Sequence, residues 1–257
     1  MVSNRSILVG LMALALVVIA VAIGVALYGG GGSSDAGARV AATPTPSLSA
    51  PERAAQDDSP DIPGTFVPSQ GRSHFSYAYS LGQTPTPFCA GVPQAQPAAP
   101  PQAAATPATS PPTDCYASNP PSSGRHLNVQ RNVDAGGGNL INIPPDPDVY
   151  PPDVEVPRDA IPHILEHAGV FVGYNCALGN TACDAVVKQI IEIVNDEIDN
   201  HGSRVVMAHD SDLPPDTVGM SSWTRVLDFA YDRFNEALVR DFIETNSCRV
   251  DWEGFCR

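Results

Sequence analysis

Three histidines fall in the two most sharply patterned stretches of this chain. Pro162-His163-Ile164-Leu165-Glu166-His167-Ala168-Gly169 sets two imidazoles four residues apart around a carboxylate. Pro120-Pro121-Ser122-Ser123-Gly124-Arg125-His126 puts a third on a rigid turn. The chain has only six histidines, so this concentration marks a histidine-centred site. Imidazole is the commonest metal ligand and the side chain that titrates near neutrality. His126, His163 and His167, with His74 or Glu166 as a fourth donor, have the chemistry to hold zinc or copper. Geometry sets one condition. On a helix His163 and His167 are face neighbours about 6 Å apart, whereas on a straight strand they stand ~13 Å apart. A shared ion therefore needs a helical turn or a bend at residues 164–166, and Pro162 and Gly169 are suited to bound one.

Two other readings use the same residues. Glu166 and a histidine could act as general base and acid in a hydrolase-like enzyme, or the histidines could only brace a structural or interaction module. No Gly-x-Ser-x-Gly elbow, phosphate loop or dinucleotide fingerprint supports an enzyme of those classes. His201 sits at a helix end, where its cation would suit the dipole. His209, after Met207, is a weaker candidate, and Met207 reads as core.

The elements that must position these residues begin after a long apolar start. Residues 7–28 carry no charge. As a helix they would span roughly 33 Å, enough for a bilayer core of about 30 Å. That is longer than the apolar region of a cleaved signal peptide, so residues 1–28 read as a retained single-pass anchor. Arg5 lies before it and acidic residues after it, which favours an inside N-terminus and a body outside the cytoplasm. Six cysteines, all beyond the anchor, fit an oxidising compartment. The net charge of −14 leaves no basic stripe for nucleic acid. The partners implied are the membrane itself and a metal ion.

Residues 29–69, rich in Pro, Ala, Gly and Ser, read as a disordered linker. Residues 70–257 read as one exported domain with a low-complexity insertion over 90–114, pinned by a Cys89–Cys115 disulfide. His74 to Tyr79 alternates like a short strand. Gly169 to Tyr174 reads as a buried strand. A helix then starts at Asn180 or Thr181, carries Val187, Ile190, Ile191, Val194 and Ile198 at helical spacing, and stops at Gly202. Arg204–Ala208 and Val218–Val226 read as further strands. Tyr231, Phe234, Leu238 and Phe242 form the stripe of a last helix. The pattern is α/β or α+β: a short mixed sheet with two main helices. Cys176 and Cys183 bracket the strand-to-helix turn and read as a disulfide, as do Cys248 and Cys256 around the C-terminal loop.

The two histidine motifs, followed by Tyr174, resemble those of the domain-of-unknown-function family 3105. That family pairs a proline-proline-threonine-serine-glycine-x-histidine turn with a histidine-serine-leucine-glutamate-histidine-glycine segment that runs into a tyrosine-bearing strand. His74 with Tyr77 or Tyr79 matches its earlier histidine, and Leu213 to Trp223 its late tryptophan. The resemblance covers about residues 70–245 and implies a membrane-anchored bacterial protein. Ser122 stands for the usual threonine, Ala168 for the usual glycine, and the insertion between Cys89 and Cys115 is extra. Because residues 7–28 are expected to be retained with the body exported, a reporter that works only after export should be active when fused after Arg257. Activity from a reporter that works only in the cytoplasm would reverse this topology.

Overall fold

The structure, a computed structural model, describes residues 47–80, 82–94 and 114–256. The apolar segment 7–28, the first part of the expected linker and the middle of the insertion lie outside the described residues. Among the described residues no helix is long and apolar enough to cross a membrane.

The elements in chain order are α1 (Ala50–Ala55), β1 (Thr65–Phe66), β2 (Gln130–Asp134), β3 (Leu140–Ile143), β4 (Asp148–Val149), α2 (Ile161–Glu166), β5 (Val170–Asn175), α3 (Thr181–His201), β6 (Val205–His209), β7 (Thr217–Ser222), β8 (Arg225–Ala230) and α4 (Glu236–Asn246). The fold is α+β. Six strands form one mixed sheet in the order β1-β8-β7-β5-β6-β4, and β2 and β3 form a separate hairpin. β5 pairs parallel to β6 and antiparallel to β7.

β5 is buried along almost its whole length, because both of its faces are covered. Successive side chains of a strand point to opposite faces. Val170, Val172 and Tyr174 pack with Val205 and Met207 of β6 and with Ile190, Val194, Val239 and Phe242 of α3 and α4. Phe171 packs with Val206 and Ala208 against the other layer, which includes Ile161, Ile164 and Leu165 of α2 and Ile141 and Ile143 of β3. That second layer carries the histidines. α3 begins on Asn180, whose side chain accepts from the Cys183 amide, and ends at Gly202 with φ +70°. The three disulfides join Cys89 to Cys115, Cys176 to Cys183 and Cys248 to Cys256, the expected pairings.

Four expectations need correction. The domain begins at Ser47 rather than near residue 70. α1 is opened by a capping box between Ser49 and Glu52, and β1 joins the sheet beside β8. Arg225 holds this segment down, donating to the carbonyls of Asp57, Ser59, Ile62 and Gly64. A polar segment can thus order without much apolar burial, because a buried guanidinium collects its main-chain acceptors. Secondly, His74 to Tyr79 is not a strand; only His74 bridges, to His126. Thirdly, Val218–Val226 is not one strand. The chain reverses at Trp223-Thr224, where Thr224 takes φ +65°, so β7 and β8 form a hairpin. Fourthly, Tyr231 lies in a 3-10 turn and α4 starts only after Asn235, whose side chain caps it.

Gly173 of β5 faces a second buried carboxyl. A Cβ at Gly173 would meet the Cβ and Oδ2 of Asp210 at 3.0 Å. Asp210 is 6% exposed; its Oδ1 accepts from the Asp212 amide at 3.1 Å, and its Oδ2 has no partner among the described residues. Burial, reinforced by the charges of Asp212 and Glu155 and countered by the Asp212 amide and by Arg158, pushes this carboxyl up to about 7. Its folded pKa lies above its unfolded value, so its contribution is fully present below about pH 4 and is lost as pH rises through about 7. The difference is worth on the order of 4 kcal/mol at full ionisation. Asp210→Asn should therefore flatten the fall in stability between about pH 4 and pH 8. Urea midpoints of the two proteins across that range check it; parallel curves would show that Asp210 does not titrate in this window.

Candidate metal centre

α2 is a short helix with no solvent face: all six of its residues are buried. Pro162 stands in its first turn, where a missing N–H costs nothing. Its end is a Schellman motif. The Gly169 amide donates to Ile164 O at 3.1 Å and the Ala168 amide to Leu165 O at 3.1 Å. The left-handed position falls on Ala168, at φ +63°. Gly169 is required, since a Cβ there would lie 2.8 Å from Ile164 O. This motif supplies the turn that the sequence demanded around residues 164–166. It sets His163 and Glu166 one helical turn apart on the same side.

The other two donors arrive together. Residues 71–75 run beside 124–126, joined by Gly124 N–Gly71 O at 2.9 Å, His126 N–Ser73 O at 2.9 Å and Phe75 N–His126 O at 2.7 Å. This seam sets the His74 and His126 rings 4.6 Å apart. Leu127 ties the seam to α2: its amide donates to Asp159 O at 2.8 Å, and its carbonyl accepts from His163 Nδ1 at 2.7 Å.

His74, His126, His163 and Glu166 thus converge, with one donor atom from each all within 4.8 Å of one another. His126, His163 and Glu166 are at most 1% exposed. The His74 ring is 36% exposed and forms the open side. Glu166 Oε2 lies 3.0 Å from His126 Nε2 and 3.5 Å from His74 Nε2. Its Oε1 lies 3.2 Å from the Arg72 guanidinium. His126 Nδ1 is 2.8 Å from Gly124 O. A carbonyl only accepts, so Nδ1 of His126 and Nδ1 of His163 both carry hydrogen, and Nε2 of each ring is the atom turned toward the group.

The electrostatics follow from burial. Burial lowers the His163 pKa to about 4, reinforced by His126 and His167, so its ring is neutral at neutral pH. For Glu166 burial works upward, but the His126 hydrogen bond and the charges of His126, His74 and His163 hold its pKa below the ordinary value. The site is therefore a carboxylate ringed by imidazole nitrogens, with His163 neutral.

His167 lies beside this group rather than in it. Its ring is 4.7 Å from that of His163, but its Nε2 is 3.1 Å from Glu253, and Phe255 stacks on it at 4.2 Å. Burial lowers its pKa against the pull of Glu253 and Glu166. His209 sits at the end of β6 with its ring 5.8 Å from that of Tyr174. Asp196, Glu197 and His201 on α3 also lie close together, but Arg240 already pairs with Asp196 at 2.7 Å and Glu197 at 3.4 Å. Sequence reading missed Arg72, Trp252, Glu253 and Phe255. Arg72 lies over the Trp252 ring at 4.6 Å, so it links the C-terminal loop to Glu166. Only its place two residues before His74 marked it.

The chain matches no protein-family model, no curated protein and no solved structure. The left-handed Ala168 gives a direct test. An alanine in the left-handed region costs about 1–2 kcal/mol, and Ala168→Gly removes that cost at the price of some chain entropy and a buried methyl. The added chain entropy takes back about 0.4–1 kcal/mol and the lost methyl about 0.8 kcal/mol, so the terms nearly cancel and Tm should move by no more than about 2–4 °C. Thermal melts of both proteins check it; a larger fall in Tm for the variant would mean that the methyl's packing outweighs the strain.

Proposed function

We propose that this chain is a membrane-anchored, extracytoplasmic metal-binding protein, and that His74, His126, His163 and Glu166 hold one zinc or copper ion. The observation that carries the reading is the His126 ring. It is fully buried, and both of its nitrogens face acceptors, Gly124 O at 2.8 Å and Glu166 Oε2 at 3.0 Å. With Nδ1 protonated, Nε2 and Oε2 present two lone pairs to each other unless a cation lies between them. That cation is a proton or a metal, and a third ring whose pKa is driven down to about 4 is poised to add its lone pair. Backbone carbonyls on Nδ1 are also the usual outer-shell partners that fix a ligating imidazole.

Nitrogen and carboxylate donors suit zinc and copper(II), and no thiol competes, since all six cysteines are paired. Four protein donors fill a tetrahedral shell and leave no place for a reactive water. That favours binding over the hydrolase-like reading in which Glu166 and a histidine act as base and acid. The membrane part of the reading is supported by the uncharged run 7–28 and by the resemblance to family 3105, to which we assign the chain as part of the same proposal.

Elemental analysis of the purified full chain is expected to find one ion per chain. His126→Ala and His163→Ala should abolish retention with native circular dichroism, while His201→Ala on α3 should retain the ion. Arg72→Leu, which removes the guanidinium from the outer oxygen of Glu166 and from the Trp252 ring but takes away no donor, should weaken affinity by about 10- to 100-fold. A folded wild-type chain that takes up neither zinc nor copper would leave the histidines as bracing groups and end the metal reading.

A further inference from the structure

A cavity of about 390 Å³ lies beside the histidine cluster, with His167 in its wall. Its size falls within the range of small-molecule sites. Ile164, Pro144, Pro145 and Val206 give it an apolar side, and Arg131 and Arg204 give it two cations. In a chain of net charge −14 most surface arginines would be expected to find a carboxylate. Neither forms an ion pair among the described residues, and Arg204 has only the longer-range pull of Asp251 and Asp146. The Arg131 side chain is exposed and makes no hydrogen bond or ion pair there. Arg204 spends its Nε on His167 O at 2.8 Å and lies over the Phe255 ring at 4.8 Å, which leaves its two terminal nitrogens without partners. Partly buried guanidinium nitrogens without acceptors are unfavourable, and a bound anion would relieve them.

We propose that this cavity binds a small organic monoanion, a carboxylate on a short apolar body, with Arg131 and Arg204 as its charge partners and the proline and aliphatic wall against the body. Asp146 also lines the cavity, and both it and Asp251 are close enough to act on Arg204, though neither pairs with its terminal nitrogens. Those carboxylates, with the acidic chain as a whole, disfavour phosphate-rich and other polyanionic ligands. The inference goes beyond the metal reading and does not require it, because neither arginine touches the four converging donors. His167, whose ring is 4.7 Å from that of His163, makes the two sites neighbours.

Calorimetric titration of the purified full chain with pentanoate is expected to show saturable binding to one site, in chelator-treated protein as in untreated protein. Pentylamine, with a similar body and the opposite charge, should show none. Arg131→Gln should weaken pentanoate binding about tenfold or more, the usual worth of a charge-assisted hydrogen bond, and Arg204→Gln at least as much. Arg233→Gln, an exposed arginine beside Asp232, should leave it unchanged. Because Arg131 is exposed and unpartnered, its variant should fold even if the Arg204 variant does not. Absence of saturable pentanoate binding, binding that survives Arg131→Gln undiminished, or equal binding of pentylamine would overturn the proposal.

Discussion

The seam between residues 71–75 and 124–127 is the contact on which the site depends. A single short helix can present a histidine and a glutamate one turn apart, and α2 does so with His163 and Glu166. It cannot surround a point in space. The missing donors must come from elsewhere in the chain, and they must come at fixed spacing. Pairing two extended segments in parallel achieves this, since His74 and His126 are then neighbours across the seam. Leu127 carries the register onward. Its amide bonds to Asp159 O and its carbonyl to the His163 ring, so the His74–His126 pair is fixed relative to α2 by hydrogen bonds to the Leu127 main chain rather than by side-chain packing alone.

Such a cluster is expensive to bury. A carboxylate taken out of water loses several kcal/mol of solvation unless it is paired. Glu166 is paired on both oxygens, with Arg72 on one and histidines on the other. Once buried, each partner is needed by the others, and the surrounding layers must hold them still. The sheet does this from one side, with β5 covered on both faces. Two strained residues show how tightly the surroundings decide the backbone. Ala168 and the β-branched Thr224 both take positive φ. Thr224 is held by hydrogen bonds from its amide to Ser122 O at 2.9 Å and from the Val67 amide to its own carbonyl at 3.0 Å. Ser122 belongs to the histidine turn, so strain at the β7–β8 tip and order at His126 are linked through one short segment.

Much of this was legible in the sequence, for physical reasons. α3 has a side-chain cap, a glycine stop and apolar residues at helical spacing, and β5 and β6 are β-branched runs buried on both faces. The three disulfides close short or loop-bounded spans, so proximity in sequence was enough to pair the cysteines. The meeting of His126 with His163 was readable because both lie in turn-rich motifs; the expected third ring was His167, whereas His74 and Glu166, each named only as a possible fourth donor, both join the group. The failures have causes too. α1 was announced by Ser49-Ala50-Pro51-Glu52, a capping box with a proline at the helix start, but the surrounding composition outweighed it. The β7–β8 reversal has no glycine or asparagine at Trp223-Thr224, so no turn chemistry marked it. His167 separates from the cluster only because Glu253 and Phe255 claim it. No local pattern can announce a contact between residues so far apart in the chain.

That last contact shows how the chain's end completes the site. The Cys248–Cys256 disulfide closes a small loop, and Asp251 at its centre accepts the amides of Gly254, Phe255 and Cys256 at 2.7–2.9 Å. Those amides hold its pKa below the ordinary value against the effect of burial. The loop is therefore rigid from within, and it docks by a bridge between Asp251 and His167 and by Cys248 N to Ala168 O at 2.9 Å. From that position Trp252 supports the arginine that binds Glu166, while Glu253 and Phe255 fix His167 between the cluster and the neighbouring cavity. The donors come from the middle of the chain, but two of the groups that orient them come from positions 72 and 252, on either side of it. The ordered site is thus a property of the completed domain: neither histidine motif alone, nor the two together without the C-terminal loop, contains the contacts that hold Glu166 and His167 in place.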